Sequence, residues 1–427
     1  MEMLAIALND INVSKQNSYI ERKKGSIGLI HQKMTDRFKV VHKLPEKTDS
    51  VENMFAYADA YGKIRFGYFG ARFKEQTTDY QNSFAAAVGG IMGIKSAEYK
   101  GVSFKAAAYI SQDLPFLYDT AQRSLDFYST QGKSYTYLAE ANLHYVLEDV
   151  EAIVGRFAID MPYANTDDLR MSQNTFEGAW GQIKYSDTLS TQFFYIQRWA
   201  GFDSQDEDSN ATQNEFKKLV EGGRGLVGAS LIYEYAQESE ASVWLHYIDK
   251  MASIGYAEIN GLYDVDDAIH FDYGLQYTYI QEEENSNVDG QVVGAMFIGH
   301  YNEFFLGLAA NGAFVKPGKY VTDGFGGGPY FTSLDEATIA FASETSPGED
   351  IEMYRTSLGY DKEEWYSSFE YAYGYMGCNS NSIHEHDLIY TYEKEKKWQA
   401  QVVFANFSMR DSDNKLNRIV VRIDYNF

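Results

Sequence analysis

The sequence predicts an all-β chain: a transmembrane antiparallel β-barrel of about eighteen strands, with one or two long extracellular loops folded into its lumen. Three observations predict it. The last thirteen residues, KLNRIVVRIDYNF (415–427), put Ile419, Val421, Ile423, Tyr425 and Phe427 on one strand face. Arg418, Arg422, Asp424 and Asn426 fall on the other, because successive side chains alternate. A strand that is apolar and aromatic on one face and charged on the other suits a wall between lipid and water. Second, the composition of 35 Tyr, 35 Gly and 27 Phe against 6 Pro favours many strands joined by tight turns. Third, no run of about eighteen apolar residues is present, so the chain has no helical span. A mean hydropathy of -0.41 agrees, and does not count against a barrel whose lumen is polar.

The same alternation places candidate strands at 61–73, 82–98, 102–112, 135–147, 150–160, 179–186, 189–202, 225–237, 239–250, 252–263, 268–282, 289–301, 303–315, 352–361, 364–376, 384–394, 397–409 and 415–427. The stretch VSFKAAAYI (102–110) contains alanines, yet its two-residue rhythm and Gly-bounded start favour a strand over a helix. Short turns are expected at 99–101, 148–149 and 186–187, and long loops at 113–134, 161–178, 203–224 and 316–351. Residues 51–427 read as a single barrel. Residues 1–50 lack the alternation and hold the ERKK run (21–24), so they read as an atypical leader, either flexible or a misassigned start. No signal peptide is evident in MEMLAIALND, which has no basic n-region and too short an apolar core.

A net charge of -24 argues against nucleic-acid binding, which needs a basic surface, and fits acidic solvated loops such as 203–216 and 343–352. The single cysteine, Cys378, lies in a GCNSNS loop, forms no internal disulfide and reads as an incidental thiol. No cofactor or metal is expected. The one suggestive cluster, His384-Glu385-His386, lacks the helix that a zinc-protease motif requires.

Charged positions follow from the alternation. With Ile64, Phe66 and Tyr68 outward, Lys63 and Arg65 face the lumen, and by the same rule Lys105, Arg156, Lys184, Arg355, Arg418 and Arg422 face it too. Inward placement avoids a cost of ~2–4 kcal/mol for a charge at the hydrocarbon midplane. Rows of such charges either guide ions or serve as ordinary lumenal salt bridges, and both readings stand.

The loop MPYANTDDLRMSQNTFEG (161–178) carries Tyr163, Leu169, Met171 and Phe176, more apolar bulk than a solvated loop needs. It resembles the inward-folding third loop of the OprD family of outer-membrane porins, P-x-x-x-N-x-D-x-R followed by Q-x-T-F/Y-x-G. The matches are Pro162, Asp168, Arg170, Gln173, Thr175, Phe176 and Gly178. DGFGGGPYFTSLDEATIA (323–340) is similar to a long-loop segment of the same porins. It lacks the Lys-Ser/Thr of a phosphate loop, and its glycines suit backbone folded close to the pore wall.

The resemblance covers roughly 51–427 and implies an eighteen-stranded pore, narrowed by its third and seventh loops, in the outer membrane of a Gram-negative bacterium. Such channels pass small carboxylate-bearing solutes and ions by diffusion, and are not enzymes. Asp168 and Arg170 are then expected at the constriction, with Arg65, Lys105, Arg156, Lys184, Arg355, Arg418 and Arg422 on the wall. Implied partners are outer-membrane lipid and the barrel-assembly machinery, which would read Ile423, Tyr425 and Phe427. Monomer and homotrimer both stay open, as do the exact solute and the sign of ion selectivity. The competing readings are a closed adhesive barrel and an outer-membrane hydrolase.

Overall fold

The computed structural model describes residues 44–427, except 75–79, 206–211, 267, 363–365, 396 and 411–413. The expected leader therefore lies, up to residue 43, outside the described residues. Among the described residues, three two-residue strands accompany eighteen long ones, which form a single closed antiparallel sheet. The long strands are β1 (Asp59–Lys74), β2 (Gln81–Lys95), β3 (Val102–Asp113), β4 (Tyr135–Leu147), β5 (Val150–Phe157), β6 (Thr175–Lys184), β7 (Leu189–Ala200), β8 (Leu226–Ala236) and β9 (Ser239–Ile248). The second half holds β10 (Ala252–Asp264), β11 (Ile269–Glu282), β12 (Gly290–Tyr301), β13 (Phe304–Val315), β14 (Ile351–Lys362), β15 (Ser367–Gly377), β16 (Ser382–Lys394), β17 (Trp398–Met409) and β18 (Lys415–Asn426).

Each strand pairs with its sequence neighbour, and β1 pairs with β18 from Lys63↔Asn426 to Lys74↔Lys415, which closes the ring. Closure leaves no edge with unpaired backbone groups. Long and short connections alternate, so one end of the barrel carries the loops 114–134, 158–174, 201–225 and 316–350, and the other carries tight turns. At the turn between β4 and β5, Glu148 takes a φ of 49°, as a two-residue hairpin demands. A short helix, α1 (Val51–Ala56), capped by Ser50, packs at the short-turn end, where its Met54 carbonyl accepts from Ala97 N–H at 3.0 Å.

The outer face is apolar. Leu143, Val154, Phe193, Leu231, Leu245, Leu275, Phe297 and Leu306 all stand exposed on it, far more apolar surface than a water-facing wall carries. Tyrosines collect towards its two margins, with Tyr195, Tyr247 and Tyr279 near the long-loop end and Tyr233, Tyr263 and Tyr301 near the turns. That distribution is the aromatic girdling of a membrane barrel.

The strand boundaries correct one expectation. The loop expected at 161–178 stops at Asn174, because Thr175–Gly178 already pair with β7.

The buried apolar groups sit inside the barrel rather than between layers. Phe157, Phe176, Phe194, Ile196, Trp199, Trp244, Ile254 and Tyr256 of the wall pack against Met161, Tyr163, Phe325, Tyr330 and Leu334 of two infolded loops. One side of the lumen is therefore lined by packed apolar side chains.

Candidate functional site

The two infolded loops are 158–174, here L3, and 316–350, here L7. L3 holds its shape through hydrogen bonds within the loop. Asp160 Oδ1 accepts from Thr166 N–H at 2.8 Å and from Thr166 Oγ1 at 2.9 Å, and Asn174 N–H donates to Thr166 O at 2.7 Å. Asx-type closures of this kind suit a turn whose next residue, Asp167, takes a φ of 36°. Tyr163 is the apolar anchor. Its ring lies 5.3 Å from that of His246 and 6.1 Å from that of Tyr256, and its hydroxyl bonds Thr278 Oγ1 at 3.0 Å and Tyr330 Oη at 3.1 Å.

L7 docks on L3 by backbone pairing. Phe325 N–H donates to Tyr163 O at 3.0 Å, and Asn165 N–H donates to Phe325 O at 3.1 Å. The glycines serve this contact: at Gly326, with φ of 127°, a Cβ would stand 2.4 Å from Asn165 Oδ1. They let L7 close on L3 rather than on the pore wall, a refinement of the expectation from the sequence. Farther along, Glu385 on β16 accepts from Glu336 N–H at 2.9 Å and Ala337 N–H at 2.7 Å, and L7 continues into the helix α2 (Ile339–Thr345).

Between these loops and the barrel wall, chiefly strands β1 and β18 with Arg355 on β14, runs a ladder of basic side chains. Arg65, with no exposed surface, donates to both Asp424 oxygens at 2.8 and 2.7 Å and to both Asp168 oxygens at 2.6 and 2.8 Å. Lys63 donates to Asp168 Oδ2 at 2.8 Å. Arg422 donates to the Asp168 carbonyl and to Gln401 Oε1. Arg418 binds Asp335 and Glu336 of L7. Arg170 of L3 donates to Asp126 Oδ2 at 2.8 Å, with its guanidinium 4.7 Å from the Phe202 ring centre. Arg355 reaches Glu370 at 2.9 Å and the Ser333 carbonyl at 3.1 Å.

Planar guanidinium groups accept this duty because they match carboxylates two bonds at a time and never deprotonate. Burial works to raise the pKa of Asp168, but Arg65 and Lys63 outweigh it and hold the carboxyl well below its ordinary value. Asp203, in the loop after β7, goes the other way: burial and the neighbouring Asp167 push it well above the carboxylate range.

No protein-family model matches the sequence, and no curated protein matches it. Solved structures do. OpdL of Pseudomonas aeruginosa superposes with a TM-score of 0.68 at 15% identity, covering 87% of this chain and 99% of that one. OpdK of Pseudomonas aeruginosa with vanillate gives 0.70 at 14% identity, covering 88% and 99%. A BenF-like porin from Pseudomonas fluorescens Pf-5 gives 0.73 at 12% identity, covering 88% and 99%. The fold is that of the OprD-type porins.

Within this OprD-type barrel, the residues expected on the wall separate into three groups. Lys63, Arg65, Asp168, Arg170, Arg355, Arg418 and Arg422 converge on the infolded loops. Lys105 and Lys184 lie nearer the short-turn end, Lys105 paired with Glu140 at 2.6 Å and Lys184 exposed on the lumenal side of β6.

Arg156 does not face the lumen, and this corrects the expectation. On β5 the lumenal side belongs to Ile153 and Phe157, which pack in the interior, while Arg156 shares the outer face with Val154. The interior here is apolar because L3 covers it, so greasiness no longer identifies the lipid side.

Sequence reasoning also missed the ladder's acids Asp126, Asp335, Glu336 and Glu370, and with them Glu385 and Asp387, which accept from backbone N–H groups of L7. Asp424 carried a usable signal, since it shares a face with Arg422 two residues away. The histidine triplet is split by the strand. Glu385 points inward under L7, while His384 and His386 lie outside against Tyr373 and Tyr371. It cannot close around one metal.

Proposed function

We propose that the chain is an outer-membrane porin of a Gram-negative bacterium that passes small hydrophilic solutes and ions by passive diffusion, carboxylate-bearing amino acids, peptides and organic acids above all. Eighteen strands enclose room for water, whereas about eight would be filled by side chains. The observation that carries the substrate class is Arg65 gripping Asp168 with paired hydrogen bonds at 2.6 and 2.8 Å. Asp168 on L3 and Asp335 on L7 belong to loops, and they stand where the carboxylate of a passing solute would be received. The solved OpdK–vanillate pair, a porin with a carboxylate, supports the same class.

In this reading a passing carboxylate takes the place of Asp168 or Asp335 on Arg65, Lys63, Arg418 and Arg422, which those acids cover at rest, and Asp168 and Arg170 form the narrowest passage. Lys105, Lys184 and Arg355 extend the basic surface. Ile423, Tyr425 and Phe427 form the strand end read by the assembly machinery. No chemistry is assigned to the lumen.

The test is single-channel recording followed by liposome swelling with amino acids, organic acids and neutral sugars. Steady conductance is expected; a silent bilayer would overturn the porin reading in favour of a closed adhesive barrel. Arg422→Ala and Arg170→Ala should slow carboxylate solutes more than sugars. Equal slowing of both would remove the guidance role.

A further inference from the structure

Arg156 has an outward-facing continuation. Register pairs it with Glu177 on β6, Glu177 with Arg198 on β7, and Arg198 with Lys218 on the two-residue strand Lys217–Lys218. These four side chains form one row across four neighbouring segments, on the outer face near the long-loop end. Arg156 Nε donates to Glu177 Oε2 at 2.8 Å, and the Arg198 guanidinium stands 3.9 Å from the other oxygen. One carboxylate thus serves two guanidinium groups, and Lys218 adds a third cation directly opposite Arg198.

Like charges opposed across strands oppose pairing unless an anion lies between them. Beneath the row the wall turns apolar at once, with Val154 58%, Tyr195 42% and Val227 48% exposed. The Arg198 side chain is itself 43% exposed. Elsewhere near the same margin, outward groups include Gln291, Glu352 and Tyr354, and also the exposed cations Arg72 of β1 and Lys415 of β18. The row itself sets three cations against one carboxylate in a chain whose net charge is -24.

We propose that Arg198 and Lys218, with Arg156 held in place by Glu177, seat the phosphate of a phosphorylated lipid in the membrane leaflet on the long-loop side. The proposal rests on the outer-membrane reading only for the leaflet. Its chemistry is that of any anionic headgroup above an apolar chain: cations meet the phosphate at the interface while Val154, Tyr195 and Val227 meet the acyl chains. A second copy of this chain fits less well, because a two-fold contact here would bring the same cations together.

The experiment uses the full chain in detergent, with lipid A carrying its phosphates, lipid A stripped of them, and inorganic phosphate as probes. Phosphorylated lipid A should bind and raise the temperature at which the barrel loses its compact electrophoretic mobility. R198A/K218A should weaken that binding by roughly tenfold or more, since each cation near a charged leaflet contributes strongly. The variant should keep the compact mobility and the single-channel conductance, which separates this proposal from the porin reading. Equal binding of the phosphorylated and stripped lipids, or unchanged binding by the variant, overturns it. Equal competition by inorganic phosphate alone would reduce the row to a general anion site and overturn it as a lipid seat.

Discussion

Asp168 concentrates the physics of the interior. It is buried, it answers Arg65 and Lys63, and its backbone carbonyl answers Arg422. Removing one partner from such a group is costly because the others keep their charge without compensation, about 3–5 kcal/mol in comparable buried pairs. Asp168→Asn should therefore lower the temperature at which the barrel unfolds in detergent. Because its pKa is depressed in the fold, the wild type gains stability from it above the ordinary carboxylate range and loses that gain as pH falls below about 4. Asp168→Asn should flatten this acid loss. Asp203 has the opposite sign. Its pKa is raised by burial and by Asp167, so its contribution is complete in acid and fades as pH rises through the raised value. Asp203→Asn should make the loop after β7 less sensitive to alkali, read as proteolytic protection followed from acid upward through the raised value. An unchanged alkaline profile would show that the pair carries no such linkage.

The strands were legible because each one repeats the same physical instruction. β18 shows it most clearly: Ile419 and Ile423 are exposed, and Arg418, Arg422 and Asp424 are buried in the lumen, as the two-residue rhythm requires. β5 shows where the instruction fails. Its inner side carries Ile153 and Phe157 because L3 lies over it, so hydrophobicity points both ways and Arg156 is misplaced by pattern alone. The loops were half legible. Tyr163 and Met171 announced that L3 folds inward, but the partners that hold it, Arg65 and Asp126, are separated from it by long stretches of chain. The docking of L7 on L3 gives a sharp prediction. Gly326→Ala adds a Cβ 2.4 Å from Asn165 Oδ1 at a φ that disfavours side chains, a strain of order 1–3 kcal/mol. Channel recordings of that variant should show larger and noisier openings with the barrel intact. Traces of the variant as quiet as those of the wild type would mean that the two loops do not hold each other in place.

For the molecule as a whole, the distribution of charge decides what kind of solute the lumen favours. Six ladder cations (Lys63, Arg65, Arg170, Arg355, Arg418 and Arg422) are interleaved with six acids (Asp126, Asp168, Asp335, Glu336, Glu370 and Asp424). The ladder is thus nearly neutral, and the net charge of -24 comes from residues outside it. Surface acids of this kind act at long range, with a Debye length of about 30 Å at 0.01 M salt and about 3 Å at 1 M. Reversal potentials should therefore favour cations in dilute salt and lose that preference in concentrated salt. A simple anion meets this outer field before it meets any arginine, whereas a zwitterion does not, and inside it finds both signs of partner at short range. Zwitterionic amino acids should accordingly enter liposomes faster than singly charged organic acids of equal size, with the gap closing as salt rises. Anion preference in dilute salt, or equal entry of the two solutes there, would show that the ladder's cations rather than the acidic loops set the field.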